Sequence, residues 1–334
     1  MAFDLSNTLV IGISSTALFD MKESDQLFQE TLLEDRERGL PRYRQFMLEH
    51  ENEPLRQGTG YPLVKALLGL NRFMRDEDKA PLVEVVVMSR NTPETGVQVL
   101  NMIRRDKLNI TRSAFTGGEP VANYMEAFDV DLFLTTNMED ARKVIDSRSC
   151  AAAVLKEPPA DTDQIPDDQV RIAFDGDAVL FSEDSEIVYK KYGINAFQQI
   201  ENEKENEPLE EGPYASFLKK LAALQEKLMI RERCSPIRIA LVTSRNAPSE
   251  MRVIKTFRSW GVYVDEAFFL GGIGKDKVLQ AFKPHIFFDD QEVHLEAAKK
   301  LVASGGVPYP SDSPLLLENK HTVLELPEGH SGTK

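Results

Sequence analysis

Asp175 and Asp177 stand two residues apart, split by Gly176, directly after the apolar run Ile172-Ala173-Phe174. A strand that ends at such a pair presents both carboxylates at its carboxyl end, where open α/β sheets bind their ligands. One carboxylate there can attack phosphorus and a second can move protons. Further polar groups follow in order. Thr243-Ser244-Arg245 closes the run Ile239-Ala240-Leu241-Val242, Lys275 ends Gly271-Gly272-Ile273-Gly274 and opens a helix, and Asp289-Asp290 follows Ile286-Phe287-Phe288.

The set suits phosphoryl transfer. The transferring group carries negative charge on three oxygens, and catalysis is mostly positioning and charge stabilisation. A carboxylate cannot approach a phosphate dianion without cations nearby. Magnesium is a hard ion held by one or two carboxylates plus substrate oxygens, and Lys275 supplies a second positive charge. Asp175, Asp177, Thr243 and Lys275 are the candidate catalytic residues. Thr243, Ser244, Arg245 and Lys275 are candidate substrate ligands, and Asp175, Asp177, Asp289 and Asp290 are candidates for the metal. Singly each motif is weak. An Asp-x-Asp is commonly a turn, a Thr-Ser after a strand is commonly a helix cap, and Gly-Gly-x-Gly-Lys lacks the spacing of a P-loop. An Asp-Asp after an aromatic strand is less ordinary, because like charges side by side need a cation or a proton.

Elements able to position these groups recur along the chain. Leu9 to Ile13, Val83 to Met88 and Leu132 to Leu134 read as buried strands, and Arg171 to Phe174, Ile237 to Val242 and Ile286 to Phe288 read as a second set. Amphipathic stretches such as Gly96 to Arg105 and Glu250 to Trp260 lie between them. Alternation of this kind predicts parallel strands joined by right-handed crossovers.

The two sets are copies. Glu51-Asn52-Glu53-Pro54-Leu55 returns as Glu205-Asn206-Glu207-Pro208-Leu209, and Gly58 with Gly212 and Gly117-Gly118 with Gly271-Gly272 keep the same offset of 154 residues. Ser89-Arg90-Asn91 matches Ser244-Arg245-Asn246 at 155. An ordered series at one offset indicates duplication. The first copy keeps the apolar frame but has Ser14-Ser15-Thr16 for Asp175-Gly176-Asp177, Thr135-Thr136 for Asp289-Asp290 and Val121 for Lys275. It reads as a degenerate half, residues 1–155, before a Pro- and Asp-rich linker at 156–168. Residues 169–310 form the catalytic half, with a small helical cap inserted at about 183–236, and 311–334 a tail. Within the insertion, Phe217 to Leu228 reads as a helix. Tyr214 and Phe217 there could stack on a base, although aromatics at helical spacing are more often core.

The chain has 334 residues and a formal net charge of −14, with a pI near 5.0. Such a surface argues against nucleic acid or anionic membrane as partners. No run of about 18 apolar residues suggests a membrane span, and no basic n-region with an apolar h-region opens the chain. The two cysteines, Cys150 and Cys234, make no disulfide framework, so a reducing cytosol is the expected compartment. The five histidines include no i, i+4 pair, which argues against zinc.

The ordered motifs resemble those of the haloacid dehalogenase superfamily of phosphohydrolases, and within it the cytosolic 5'-nucleotidase type I family. The resemblance is carried by Ile13-Ser14-Ser15 with Ala17-Leu18-Phe19, by Phe174 through Ser182 and by Leu241-Val242-Thr243. It continues in Lys255-Thr256, in Arg258-Ser259-Trp260-Gly261 and in Pro284 through Gln291, and it spans about residues 9 to 310. It implies a HAD-like Rossmannoid α/β fold, a parallel sheet flanked by helices. It also implies a Mg2+-dependent hydrolase converting nucleoside 5'-monophosphates, AMP prominently, to nucleoside and phosphate. By motif, Asp175 is the nucleophile that becomes an aspartyl-phosphate. Asp177 is the acid and then the base, and also gives its backbone carbonyl to the metal. Thr243 and Lys275 hold phosphoryl oxygens, and Asp289 is the main metal ligand, supported by Asp290. A cytoplasmic homo-oligomer that responds to a nucleotide effector is implied as well. The readings left beside it are a phosphatase for another small ester such as a sugar phosphate, a receiver-type phospho-accepting domain, and a non-catalytic nucleotide sensor. The receiver reading is weakened because its acidic pair precedes the acceptor Asp, whereas here the pair comes last.

Overall fold

The structure, a computed structural model, describes residues 4–316 except 34–35, 158, 160–165, 167 and 232–234. Most of the linker and residues 317–334 of the tail therefore lie outside the described residues, as does Cys234. Among the described residues the twelve strands are β1 (Leu9–Ile13), β2 (Phe19–Asp20), β3 (Arg56–Gln57), β4 (Val83–Ser89), β5 (Arg112–Phe115), β6 (Leu132–Thr135), β7 (Ala151–Leu155), β8 (Val170–Phe174), β9 (Ile237–Thr243), β10 (Glu266–Phe269), β11 (Ile286–Asp289) and β12 (Ser304–Gly306). Ten form one sheet in the order β10-β9-β8-β11-β12-β7-β6-β1-β4-β5, and β2 pairs with β3 separately. The fold is α/β, a mostly parallel sheet with helices on its faces, as the alternating pattern and the HAD-like resemblance led one to expect.

The duplication is visible in the topology. Each half contributes five parallel strands in the same doubly wound order, β5-β4-β1-β6-β7 in the first and β10-β9-β8-β11-β12 in the second. The halves join edge to edge through β12 and β7, the one antiparallel pairing in the ten-stranded sheet, where Gly305 faces Leu155 and Gly306 faces Val154. Because each half is parallel within itself, the antiparallel seam sends their carboxyl ends to opposite edges of the sheet. Central strands such as LVIGI are buried along their whole length, which is why they read as continuous apolar runs rather than alternating ones. On one face a single apolar cluster runs from Leu9 through Phe217 to Val307 and so spans both halves.

Repeated glycines have a physical cause. After β1 and after β8 the chain makes a tight turn and doubles back, and Gly58 and Gly212 pass directly over it. A Cβ at Gly58 would lie 2.5 Å from the Ala17 carbonyl oxygen, and one at Gly212 would lie 2.3 Å from that of Phe181. Each glycine N–H donates into its turn, Gly58 to Leu18 and Gly212 to Leu180, both at 2.9 Å. Phe19 pairs with Gln57 in the first half, and Phe181 bridges Glu211 at the matching place in the second.

The inserted segment divides into two parts. The helix Asp184–Glu203, broken at Gly193 where φ is +78°, stands over the carboxyl edge of the second half. The helix Ala215–Arg231 instead lies on the sheet. Phe217, Leu218, Leu221 and Leu228 are buried there, and Lys220 and Lys227 form ion pairs with Asp131 and Asp78 of the first half at 2.8 and 2.7 Å. Tyr214 and Phe217 accordingly sit in the core, packed edge-on against Phe174, and do not line the cleft. The start of the tail is fastened down. The Ser311 N–H and hydroxyl donate to Asp146, and the Ser313 hydroxyl donates to Glu183 at 2.5 Å.

Candidate active site

Parallel pairing brings the ends of β8, β9 and β11 side by side. Asp175 follows β8, Thr243 ends β9, Asp289 ends β11, and Lys275 enters from the loop that opens the helix Asp276–Phe282. Lys275 Nζ lies 2.8 Å from Asp175 Oδ1 and 2.6 Å from Asp289 Oδ2. Carboxylate oxygens of Asp175, Asp289 and Asp290 all fall within 4.8 Å of one another. The structure thus brings together Asp175, Lys275, Asp289 and Asp290. Thr243 lines the same cleft, and its Oγ1 accepts the Arg245 N–H at 3.2 Å. Gly176 lets the turn approach closely, since a Cβ there would stand 3.3 Å from that oxygen.

Asp177 and Arg245 are arranged differently from a ligand pair. The Asp177 carboxylate accepts a two-pronged ion pair from Arg245, Nε to Oδ2 at 2.8 Å and Nη2 to Oδ1 at 2.7 Å, so its side chain stands apart from the three grouped carboxylates. Arg245 gives its remaining arm to Glu201 and is buried, so at the cleft wall its guanidinium is already paired with two carboxylates. Ser244 is exposed at the cleft wall.

The electrostatics follow from burial. Desolvation pushes the Asp175 carboxyl up to about 6, with Asp289 and Asp177 adding to it and Lys275 opposing. Burial likewise drives Asp290 well above the usual carboxylate range, reinforced by Asp175, Asp289 and Glu186. Burial also works against the charge of Asp289, but Lys275 and His294 more than offset it and hold this carboxyl below its ordinary value. Burial pulls the Lys275 ammonium down, and Asp175 and Asp289 outweigh that effect, so it stays protonated.

A divalent cation fits this donor set. Asp175, Asp289, Asp290 and Glu186 outnumber the two ammoniums beside them, Lys275 on the first two and Lys190 on Glu186, and Asp290 Oδ1 and Glu186 Oε2 are buried without a hydrogen-bond partner. The other oxygen of Asp290 accepts from the Tyr309 hydroxyl, which leaves Oδ1 available. Hard carboxylate oxygens with no thiolate or paired imidazoles suit magnesium, manganese or calcium.

Around this centre lies a cleft of about 500 Å³ between the sheet edge and the helix Asp184–Glu203. Tyr189, Ile194 and Phe197 line its apolar wall, with the rings of Tyr189 and Phe197 edge to face at 6.4 Å. Glu186, Gln291 and His294 complete the acidic end, and Gly271 and Gly272, with φ of +57° and +87°, the opposite lip.

In the first half the same positions make a neutral cluster. Ser15 and Ser89 hydroxyls meet at 2.9 Å, and Thr16 joins Thr136 at 2.6 Å. Thr135 Oγ1 accepts the Asn137 N–H, as Asp289 Oδ1 accepts that of Gln291, so the backbone role survives where the charge is gone.

A family model for 5'-nucleotidases matches residues 1–314. The chain belongs to the 5'-nucleotidase family. It is also 37% identical over 300 residues to human cytosolic 5'-nucleotidase 1B, a match covering 88% of this chain and 48% of that protein. The chain therefore spans about half the length of the curated relative it matches. Membership of the 5'-nucleotidase family carries the haloacid dehalogenase fold and a divalent-metal site with it. No helix among the described residues is long and apolar enough to cross a membrane.

Several residues of the site escaped the sequence reading. Glu201 lies in Glu201-Asn202-Glu203-Lys204-Glu205, which reads as solvated charge, yet it is 1% exposed. Its i, i+4 relation to Phe197 places it on the apolar helix face and was the available signal. Glu186, Tyr309 and His294 gave none, because chain folding alone brings them to the acidic pair.

Proposed function

We propose that this chain hydrolyses nucleoside 5'-monophosphates, AMP among them, to nucleoside and phosphate in the cytoplasm, with Mg2+ as the cation. The observation that carries the reading is the Asp175–Lys275–Asp289 chain of contacts, with Asp290 alongside, which meets through Asp175 a cleft whose far wall is apolar and aromatic. The names of the matching family and of the human relative support the same chemistry.

Asp175, Asp289 and Asp290, together with the Asp177 backbone carbonyl, would hold the cation. When bound, it neutralises phosphoryl oxygens and lets the anionic nucleophile approach. Lys275 stabilises charge on the phosphoryl group, and Thr243 orients it. An Asp175 carboxylate oxygen forms a bond to phosphorus as the bond to the 5'-oxygen breaks, and Asp177 gives that oxygen its proton. Asp177 then takes a proton from water, whose oxygen attacks phosphorus. The aspartyl oxygen leaves, returning Asp175 as a carboxylate and Asp177 as an acid. The helix Asp184–Glu203 serves as the cap, with Tyr189, Ile194 and Phe197 against the base. The first half, stripped of charge, serves as scaffold.

Phosphate release from a panel of nucleoside and sugar monophosphates, with Mg2+ and with a chelator, tests the reading. Turnover confined to nucleotides and abolished in Asp175→Asn is expected. Turnover retained in Asp175→Asn defeats the nucleophile assignment, and preference for sugar phosphates defeats the substrate class.

A further inference from the structure

A chain of four charges, three of them buried, runs from the cleft into the cap helix. Arg245 clamps Asp177 with two nitrogens and gives Nη1 to Glu201 Oε2 at 2.5 Å. Glu201 Oε1 accepts from Arg252 Nη1 at 2.9 Å and from the Ser185 hydroxyl at 3.0 Å. The guanidinium of Arg245 sits over the rings of Phe181 and Phe197, at 5.9 and 5.3 Å from their centres. Three separate pieces of chain meet here: the turn after β8, the helix Asp184–Glu203, and the segment from β9 into the helix Glu250–Trp260.

Net stability is a poor explanation for such a chain, because desolvation of buried ions offsets most of their attraction. Orientation is a better one. The planar fork of an arginine fixes the plane of the carboxylate it grips, and here the gripped carboxylate is the acid–base candidate. The fork is itself aimed by Glu201, a residue of the cap helix.

We propose that Glu201 is a positioning residue for the hydrolysis. Seated on Arg245, it fixes the guanidinium that aims Asp177, so proton delivery to the leaving oxygen depends on the helix Asp184–Glu203 being docked. Without Glu201 the two arginines lose the anion between them, the guanidinium shifts, and the plane of Asp177 shifts with it. The inference rests on Asp177 being the acid–base residue of the proposed function.

The test compares leaving groups. A nucleoside 5'-oxygen needs a proton as it departs, whereas p-nitrophenolate departs without one. The ratio kcat/KM covers steps up to that departure, so the later hydrolysis of the aspartyl-phosphate, common to both substrates, drops out. In Glu201→Gln, kcat/KM for AMP should fall about tenfold to a hundredfold, the scale of a small misalignment. That for p-nitrophenyl phosphate should stay within about twofold, and a burst of p-nitrophenol should appear as the second step slows. Glu201→Asp, which keeps the charge but is too short to reach both arginines, should behave alike and decides the matter if the glutamine variant does not fold. Equal losses for both substrates, or no loss for either, overturn the proposal. Asp177→Asn is the control: if it too fails to separate the substrates, the acid–base reading of Asp177 is at fault instead.

Discussion

Replacing Lys275 by methionine keeps the volume and removes one buried cation from between Asp175 and Asp289, which it touches at 2.8 and 2.6 Å. Removing one partner of a buried ion pair costs about 3–5 kcal/mol. The stranded carboxylates can lower that cost by taking up protons, at about 1.4 kcal/mol for each pH unit between their pKa and the solution. Asp175 already sits at about 6 with the ammonium present, so the escape is easy at pH 5.5 and expensive at pH 8. The sign follows. In the variant, both carboxyls have folded pKa values above their unfolded ones, so they favour the fold at low pH and this stabilisation is lost as pH rises. In the wild type Asp289 is held below its ordinary 3.8, so its contribution is present above that value and is lost only as pH falls through its folded value. The stability gap between the two proteins must therefore widen with pH. Urea unfolding in chelator should show a loss on the order of 1–2 kcal/mol at pH 5.5 and about 3–5 kcal/mol at pH 8. A gap below about 1 kcal/mol at pH 8, or one equal at both pH values, refutes the electrostatic account of this centre.

Other perturbations separate the site from its frame. Thermal stabilisation by added Mg2+ should be larger at pH 7.5 than at 5.5. Burial raises the Asp175 and Asp290 carboxyls in the metal-free fold, which loses stability as pH rises through their raised pKa values, and the cation restores it; equal shifts at both pH values argue against these ligands. Gly212→Ala should destabilise by about 1–3 kcal/mol, because its Cβ would meet the Phe181 carbonyl at 2.3 Å, and an unchanged melting temperature would mean that the turn adapts freely. Tyr214→Ala should cost about 3–5 kcal/mol by emptying a core site. Tyr189→Ala, at a half-exposed position, should instead raise KM for AMP about tenfold with little loss of stability, in line with a lost stacking contact. A Tyr189→Ala variant with unaltered KM would remove that ring from the base wall.

Strand positions and the order of polar groups at their ends were legible because both are local. An apolar run that stops at Asp175, Thr243 or Asp289 announces a buried strand with a polar tip, and copying at a fixed offset showed that the frame was built twice while the charges were kept once. Register was less legible. Sequence matching at offset 155 aligns Ser89 with Ser244, but β4 and β9 end at Ser89 and Thr243. The two hydroxyls make the same bond, each accepting the N–H two residues on, at 3.2 Å. A strand end is fixed by pairing with its neighbours, and letters on one chain do not carry that information. The same limit hid the ion pairs of Arg245 and Glu201. Whether an arginine beside a strand end faces substrate or another carboxylate depends on which helix lies above it.

The sequence by itself determined that a duplicated parallel α/β frame would carry one charged set of strand ends and one neutral set, because burial and backbone pairing dictate those patterns residue by residue. Only the tertiary structure decided that the halves join through the antiparallel seam of β7 and β12, sending the charged and neutral sets to opposite edges. It also decided that the ammonium of Lys275 lies between two aspartates, and that Glu201 is drawn out of solvent to pair with Arg245 and Arg252. Those outcomes depend on distances between segments far apart in the chain, where the energies of desolvation and ion pairing are set by neighbours that no local pattern specifies.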